Sequence, residues 1–203
     1  MSFSDPSYYR SQILSKRNGL SFSTLSCLSK KIADNLRELD EYRTSRMPLI
    51  YISFRSEVDT HQLIKERLNS GLEVAVPKTD VTNKRLETYL LRDWEKDLSP
   101  GAYGILEPDM KVTSLISPSQ IDLAVVPGSV FDRKCGRYGY GGGYFDRFLS
   151  IEAPQALRIG LAFSLQLLPE IPLKPHDQRM DIIITESEML RRNRRVNFWK
   201  FMR

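Results

Sequence analysis

Residues 48–77, PLIYISFRSEVDTHQLIKERLNSGLEVAVP, decide the fold. Pro48 introduces the apolar run 49–54, which reads as a buried strand. Asp59 or Thr60 can cap a helix that runs to Ser70, and Gly71 stops it. Residues 71–77 then form a second strand, ended by Pro77. Strand, helix and strand in this order make a β-α-β unit, whose two strands lie parallel and whose crossover is right-handed. Glu57 falls at the carboxyl end of the first strand, where open α/β sheets place their ligands, and Lys78 falls at the same edge.

The flanking sequence repeats this alternation. Residues 7–18 read as a short helix with Arg10 and Arg17 two turns apart on one side. Thr24–Tyr42 reads as an amphipathic helix, with Leu25, Leu28, Ile32, Leu36 and Leu39 at helical spacing. Leu86–Leu91, Ile121–Val126, Leu157–Phe163 and Ile182–Ile184 read as strands, Gln166–Glu170 as helical and Ile171–Asp177 as extended. The expected architecture is a single three-layer α/β/α domain over residues 1–190, with a largely parallel, mixed central sheet. Residues 191–203 form a basic C-terminal tail.

The strand ending at Val126 leads into the chain's densest glycine segment. Gly136, Gly139, Gly141, Gly142 and Gly143 crowd between Cys135 and Tyr144, interleaved with Arg137, Tyr138 and Tyr140 and followed by Phe145 and Asp146. Glycines let backbone N–H groups turn inward as an anion nest, and Arg137 and Arg147 add forked donors suited to phosphate. The aromatics suit stacking against a planar ligand and set the segment apart from a flexible linker. It is a glycine-rich nucleotide loop of neither common kind, with no Gly-Lys-Ser/Thr ending and no G-x-G-x-x-G spacing.

Composition fits one globular domain, with 41% hydrophobic and 27% charged residues among 203. No apolar run is long enough to span a bilayer, the N-terminus has no apolar signal core, and Cys27 and Cys135 lack metal spacing, so a reducing, cytoplasmic setting is expected. The net charge of +5 belongs to the tail, RRNRRVNFWKFMR, which holds six bases and no acid. The tail reads as a solvated basic end in preference to a nucleic-acid-binding arm, although Phe198, Trp199 and Phe201 keep the second reading open.

Five segments, in order and spanning nearly the whole chain, carry a family resemblance. They are Arg10, Arg17, Leu20 and Ser21; Ser53–Thr60; Tyr103–Pro108; Val126–Leu149; and His176–Glu186. Together they resemble the 5-formyltetrahydrofolate cyclo-ligases, also called methenyltetrahydrofolate synthetases. The resemblance implies ATP- and Mg²⁺-dependent closure of 5-formyltetrahydrofolate to 5,10-methenyltetrahydrofolate, with release of ADP and phosphate through a phosphorylated iminium. It also implies a monomer or weak oligomer whose partner is a small reduced formyl folate.

By position, the resemblance places Arg10, Arg137, Tyr138, Gly139, Tyr140, Gly141, Gly142, Gly143, Tyr144 and Phe145 against ATP. It places Ile52, Glu57, Tyr103, Tyr140, Gly141, Gly142, Gly143 and Tyr144 against the folate. Arg137, Tyr144 and Asp146 would serve catalysis, Asp146 and Asp177 would hold magnesium, and His176 would orient or pack. Two departures stand out. Pro6 occupies the place of a lysine that reaches ATP in the family, a charge that Lys16 or Arg17 could replace, and Phe145 replaces a second tyrosine. A divergent relative that binds folate or nucleotide without turnover remains the alternative.

Overall fold

The computed structural model describes residues 5–101 and 105–192. The anticipated contact Tyr103 and tail residues 193–203 lie outside them. Helix α1 (Pro6–Asn18) begins where Asp5 accepts the Ser7 N–H at 2.9 Å, with Pro6 in the first turn, where its missing N–H costs nothing. Helix α2 (Phe22–Arg37) is capped by Ser21, which accepts the Thr24 N–H at 3.1 Å.

The single helix expected to reach Tyr42 is broken. Leu39 is extended, with φ −79° and ψ 119°, and a short helix α3 (Asp40–Thr44) starts after it. Leu36, Leu39 and Tyr42 are buried on both sides of the break, so the apolar period continues where the backbone does not. Asp40 and Glu41 place negative charge at the new N-terminus, which the helix dipole favours.

Strand β1 (Pro48–Ile50) leads through helix α4 (His61–Asn69) to β2 (Val74–Asp80), parallel to it as expected. Pro77 does not end β2. Beyond Ala75 the strand pairs with β3 (Arg85–Leu91) alone, and a proline is tolerated there because only one neighbour needs a donor. Strands β4 (Leu98–Pro100) and β5 (Leu106–Pro108) form a separate ribbon, and β6 (Ser114–Leu115) edges β3. Strand β7 (Leu123–Val126) returns to the far side of β1. A hairpin of β8 (Val130–Asp132) and β9 (Arg137–Tyr138) lies inside the glycine-rich segment, ahead of the short helix α5 (Tyr144–Arg147) and a π-helical turn over Phe148–Glu152.

Strand β10 (Leu157–Leu161) follows. The helix expected over Gln166–Glu170 is only a tight turn, Ser164–Gln166, because β11 (Leu167–Leu168) is drawn into parallel pairing with β8 and Pro169 disfavours helical backbone at Leu168. Strands β12 (Ile182–Ile184) and β13 (Met189–Arg191) complete the sheet, so Arg191 is tied into it and ion-paired to Glu41 at 2.6 Å.

The main sheet runs β13-β12-β10-β7-β1-β2-β3-β6, with β12, β10, β7, β1 and β2 all parallel. Its side chains alternate between two cores. Ile50, Val74, Val76, Val125 and Ile184 face α2 and α4, whereas Leu49, Ala75, Ala124, Val126 and Ile183 face Phe148 and Leu149 beyond α5. This is the three-layer α/β arrangement expected from the β-α-β unit. From β1 the chain first winds to β2 and later to β7 on the opposite side. The reversal therefore falls between β1 and β7, and a crevice opens beyond their carboxyl ends.

Candidate functional site

The turn after β1 is fixed by a small polar clamp. The Thr60 hydroxyl donates to the Tyr51 carbonyl at 2.5 Å and accepts the Ser53 N–H at 3.1 Å, while the Tyr51 hydroxyl donates to the Val58 carbonyl at 3.0 Å. With Thr60 so occupied, Asp59 accepts the His61 N–H at 2.9 Å at the start of α4. The clamped turn presents Ile52 and Glu57 to the crevice from one side.

The stretch after β7 closes in from the other side, where α1 grips it twice. Arg10 Nε donates to the Gly139 carbonyl at 2.8 Å, and the Arg17 guanidinium donates to the Tyr140 hydroxyl at 3.1 Å and the Gly128 carbonyl at 3.3 Å. Arg17 is buried and also donates to the Ser56 hydroxyl at 3.1 Å, which joins it to the turn after β1. The two arginines therefore reach successive loop residues and face different spaces.

Two cavities flank the loop. The first, about 260 Å³, is polar, and its walls include Arg10, Tyr138, Gly139, Gly141, Gly143, Asp146, Lys174, His176 and Asp177. Gly141 and Gly143 adopt φ of +105° and +66°, backbone that side-chain-bearing residues rarely take, and Gly143 caps α5 in that conformation. The second, about 470 Å³, is lined by Ile52, Phe54, Glu57, Lys78, Tyr140 and Phe145 among others, with Lys78 ion-paired to Glu107 at 2.5 Å.

Residues 174–177 are not extended. The Lys174 N–H donates to Asp177 Oδ2 at 2.7 Å and the Asp177 N–H donates back to the Lys174 carbonyl at 3.0 Å, closing a turn that aims Lys174, His176 and Asp177 into the first cavity. His176 is 73% exposed, with Nε2 3.7 Å from Asp177 Oδ1, so it does not pack.

Sequence-predicted residues divide three ways. Arg10, Tyr138, Gly139, Gly141, Gly143, Asp146 and Asp177 meet at the first cavity, and Ile52, Glu57, Tyr140 and Phe145 meet at the second. Arg137, Gly142 and Tyr144 line neither. Arg137 is 2% exposed and turned inward, donating to the Pro127 carbonyl at 3.0 Å and to Asp146 Oδ2 at 2.9 Å. Gly139 makes room for it, since a Cβ there would lie 2.9 Å from the guanidinium. Tyr144 packs over Gly142 and under the Arg147 guanidinium, 5.3 Å from its ring centre. Lys174 had no signal in the sequence, because a lone lysine gains meaning only once the turn carries it to the cavity.

Glu57 has a perturbed carboxyl. Burial raises its pKa above the ordinary 4.5, against the opposing pull of a hydrogen bond from the Tyr140 hydroxyl, the Phe54 N–H at 2.9 Å and the Arg17 charge. Burial likewise raises the Tyr140 hydroxyl, and Glu57 raises it further. A carboxyl whose folded pKa is raised stabilises the fold below its unfolded pKa and loses that contribution as pH rises through the folded value. Glu57→Gln is therefore expected to raise the melting temperature at pH 7, with the gain shrinking as pH falls through the raised folded value and gone below the ordinary value of 4.5. A gain that persists unchanged at acid pH would contradict this origin.

The fold and the site define a doubly wound α/β protein with a cavity on either side of a glycine-rich wall, one of them lined by bases and acids. The profile of the 5-formyltetrahydrofolate cyclo-ligase family matches residues 4–186, and the chain belongs to that family. The 5-formyltetrahydrofolate cyclo-ligase of Saccharomyces cerevisiae is 30% identical over 197 residues, covering 86% of this chain and 92% of the yeast one. That of Haemophilus influenzae is 26% identical over 157 residues, covering 76% and 84%. The NMR structure of Aquifex aeolicus 5,10-methenyltetrahydrofolate synthetase superposes with a TM-score of 0.81 at 32% identity, covering 93% of both chains. Among the described residues no helix is long and apolar enough to cross a membrane.

Proposed function

We propose that this protein converts 5-formyltetrahydrofolate to 5,10-methenyltetrahydrofolate at the expense of ATP, releasing ADP and phosphate. The observation that carries the reading is the pair of cavities separated by residues 139–143. One suits a polyphosphate, and the other offers a largely apolar lining with the half-buried Glu57 carboxyl for a planar, hydrogen-bonding ring.

The formyl oxygen is a poor leaving group. In the proposed sequence it attacks the γ-phosphorus, ADP departs, and the oxygen becomes a phosphate ester on an iminium carbon. N10 of the folate then bonds to that carbon, its proton is lost, and the C–O bond breaks to release phosphate. The chain's own contribution is to position and to balance charge. Arg10 faces the phosphates from α1, residues 141–143 offer backbone N–H groups, and Glu57 with Tyr140 holds the ring of the folate. Arg137 acts from behind the wall, fixing Asp146 in place.

Magnesium fits the first cavity. Asp146 and Asp177 both line it; the Lys174 N–H anchors one oxygen of Asp177 at 2.7 Å, and the Gln178 N–H and the Arg137 guanidinium anchor the two oxygens of Asp146, each at 2.9 Å, which sets their directions. Among the described residues no group of three or more His, Cys, Asp or Glu is placed to hold a metal ion. Magnesium takes one or two carboxylates and completes its shell with phosphate oxygens and water. Bound there, the metal would neutralise charge on the transferring phosphoryl group.

Incubating the purified protein with ATP, magnesium and 5-formyltetrahydrofolate should produce the methenyl chromophore, and chelation should stop its appearance until magnesium is restored. Folded protein that binds both ligands yet yields no chromophore would instead mark a non-catalytic relative.

A further inference from the structure

We infer that Lys174 is a phosphate-binding residue, supplying from the 174–177 turn the positive charge that the N-terminal wall of the first cavity lacks. The inference rests on the nucleotide reading above. The N-terminal wall consists of Asp5, Pro6 and Arg10, so it contributes one carboxylate, one neutral residue and one cation. Asp146 and Asp177 add two more carboxylates. Arg137 is buried and committed to Asp146 at 2.9 Å, and Arg147, which donates to the Gly142 and Lys84 carbonyls, lines neither cavity. With Asp146 and Arg137 balancing each other, Arg10 alone would thus face a highly charged phosphate chain beside Asp5 and Asp177, and a second base strengthens the hold on an anion there.

Lys174 is that base. It lines the same cavity, its side chain is exposed to it, and no carboxylate lies within 4.0 Å of its ammonium among the described residues. Its backbone is held from both sides by Asp177, through the 2.7 Å bond from its N–H and the 3.0 Å bond to its carbonyl. The turn thereby carries one proposed metal-holding carboxylate and one ammonium on a common rigid unit. Lys174 also faces α1 across the cavity. Asp5, whose carboxyl is held below its ordinary value chiefly by the Ser7 hydroxyl and backbone N–H, feels the charges of Arg10 and Lys174 as well.

The two residues that sequence reasoning offered as replacements for the charge at position 6 are placed elsewhere. Arg17 is 4% exposed and bound to Ser56, Gly128 and Tyr140 beside the second cavity, and Lys16 lines neither cavity.

The test is calorimetric titration of the full chain with Mg–ATP, paired with steady-state kinetics. Lys174→Ala should weaken ATP binding roughly tenfold or more and raise KM for ATP in step, while KM for 5-formyltetrahydrofolate stays within about twofold. Lys174→Arg should retain most of the affinity. Pro6→Lys placed in the Lys174→Ala background should recover part of it. A structural role for Lys174 would instead move both KM values and would not be answered by a cation on α1. If wild-type protein binds Mg–ATP and Lys174→Ala binds it equally well, the inference is overturned and the nucleotide reading stands. If wild-type protein binds no ATP at all, both fall.

Discussion

Asp146→Asn is expected to lower turnover by more than a hundredfold while leaving the protein folded, whereas Asp146→Ala loses activity and stability together. The distinction follows from what the carboxylate touches. Oδ2 accepts from Arg137 at 2.9 Å and Oδ1 accepts from the Gln178 N–H at 2.9 Å, and the side chain is only 13% exposed. Alanine leaves the Arg137 guanidinium buried without its counter-charge, a change that costs about 3–5 kcal/mol in comparable buried pairs. Asparagine also removes the counter-charge, but it fills the same space and keeps an acceptor for the guanidinium, so its loss of stability is smaller than that of alanine. Its effect on the reaction is larger, because a neutral amide is a poor magnesium ligand beside phosphate. Melting curves separate the two variants from each other, and the methenyl absorbance reports turnover. Full magnesium-dependent activity in the asparagine variant would remove Asp146 from the metal.

Phe131→Ala should be among the most damaging substitutions in the core, at about 3–5 kcal/mol. The ring is fully buried and occupies space that two glycines leave open. A Cβ on Gly128 would lie 2.5 Å from it, and one on Gly160 would lie 2.6 Å away. Gly128 follows β7 at the topological reversal, and its carbonyl accepts from both Arg17 at 3.3 Å and the buried Gln166 side chain at 2.9 Å. Removing the ring therefore opens a void directly behind the crevice. The reverse change, Gly160→Ala, forces a methyl group into the same ring and should cost about 1–3 kcal/mol. Urea unfolding measures both, and a Phe131→Ala protein as stable as wild type would show that the neighbouring strands collapse into the gap.

The parallel core was legible in the sequence because its strands are continuous apolar runs punctuated by capping residues and glycine, as in residues 48–77. The hairpin β8–β9 was not, since strands of three and two residues are too short to show alternation. The break at Leu39 was hidden for a different reason: side-chain periodicity reports burial, and Leu36, Leu39 and Tyr42 remain buried whether or not the helix is continuous. At the site, the glycines and their aromatics announced a ligand, but their division of labour required coordinates. Arg137 looks like a phosphate clamp in one dimension and proves to be the buried partner of Asp146, while Arg10 and Arg17, two turns apart on one face, part company at the loop.

That parting makes α1 a caliper. Seven residues of helix span about 10 Å, and the jaws of this span are Arg10 on the Gly139 carbonyl and Arg17 on the Tyr140 hydroxyl. The gap between the two cavities is thus gauged by a rigid rod that contributes a wall to each, Pro6 and Arg10 to the first and Leu14 and Arg17 to the second. A one-residue insertion between the arginines would swing one jaw by about 100° relative to the other, shifting one cavity wall against the other without changing the identity of any residue that lines them.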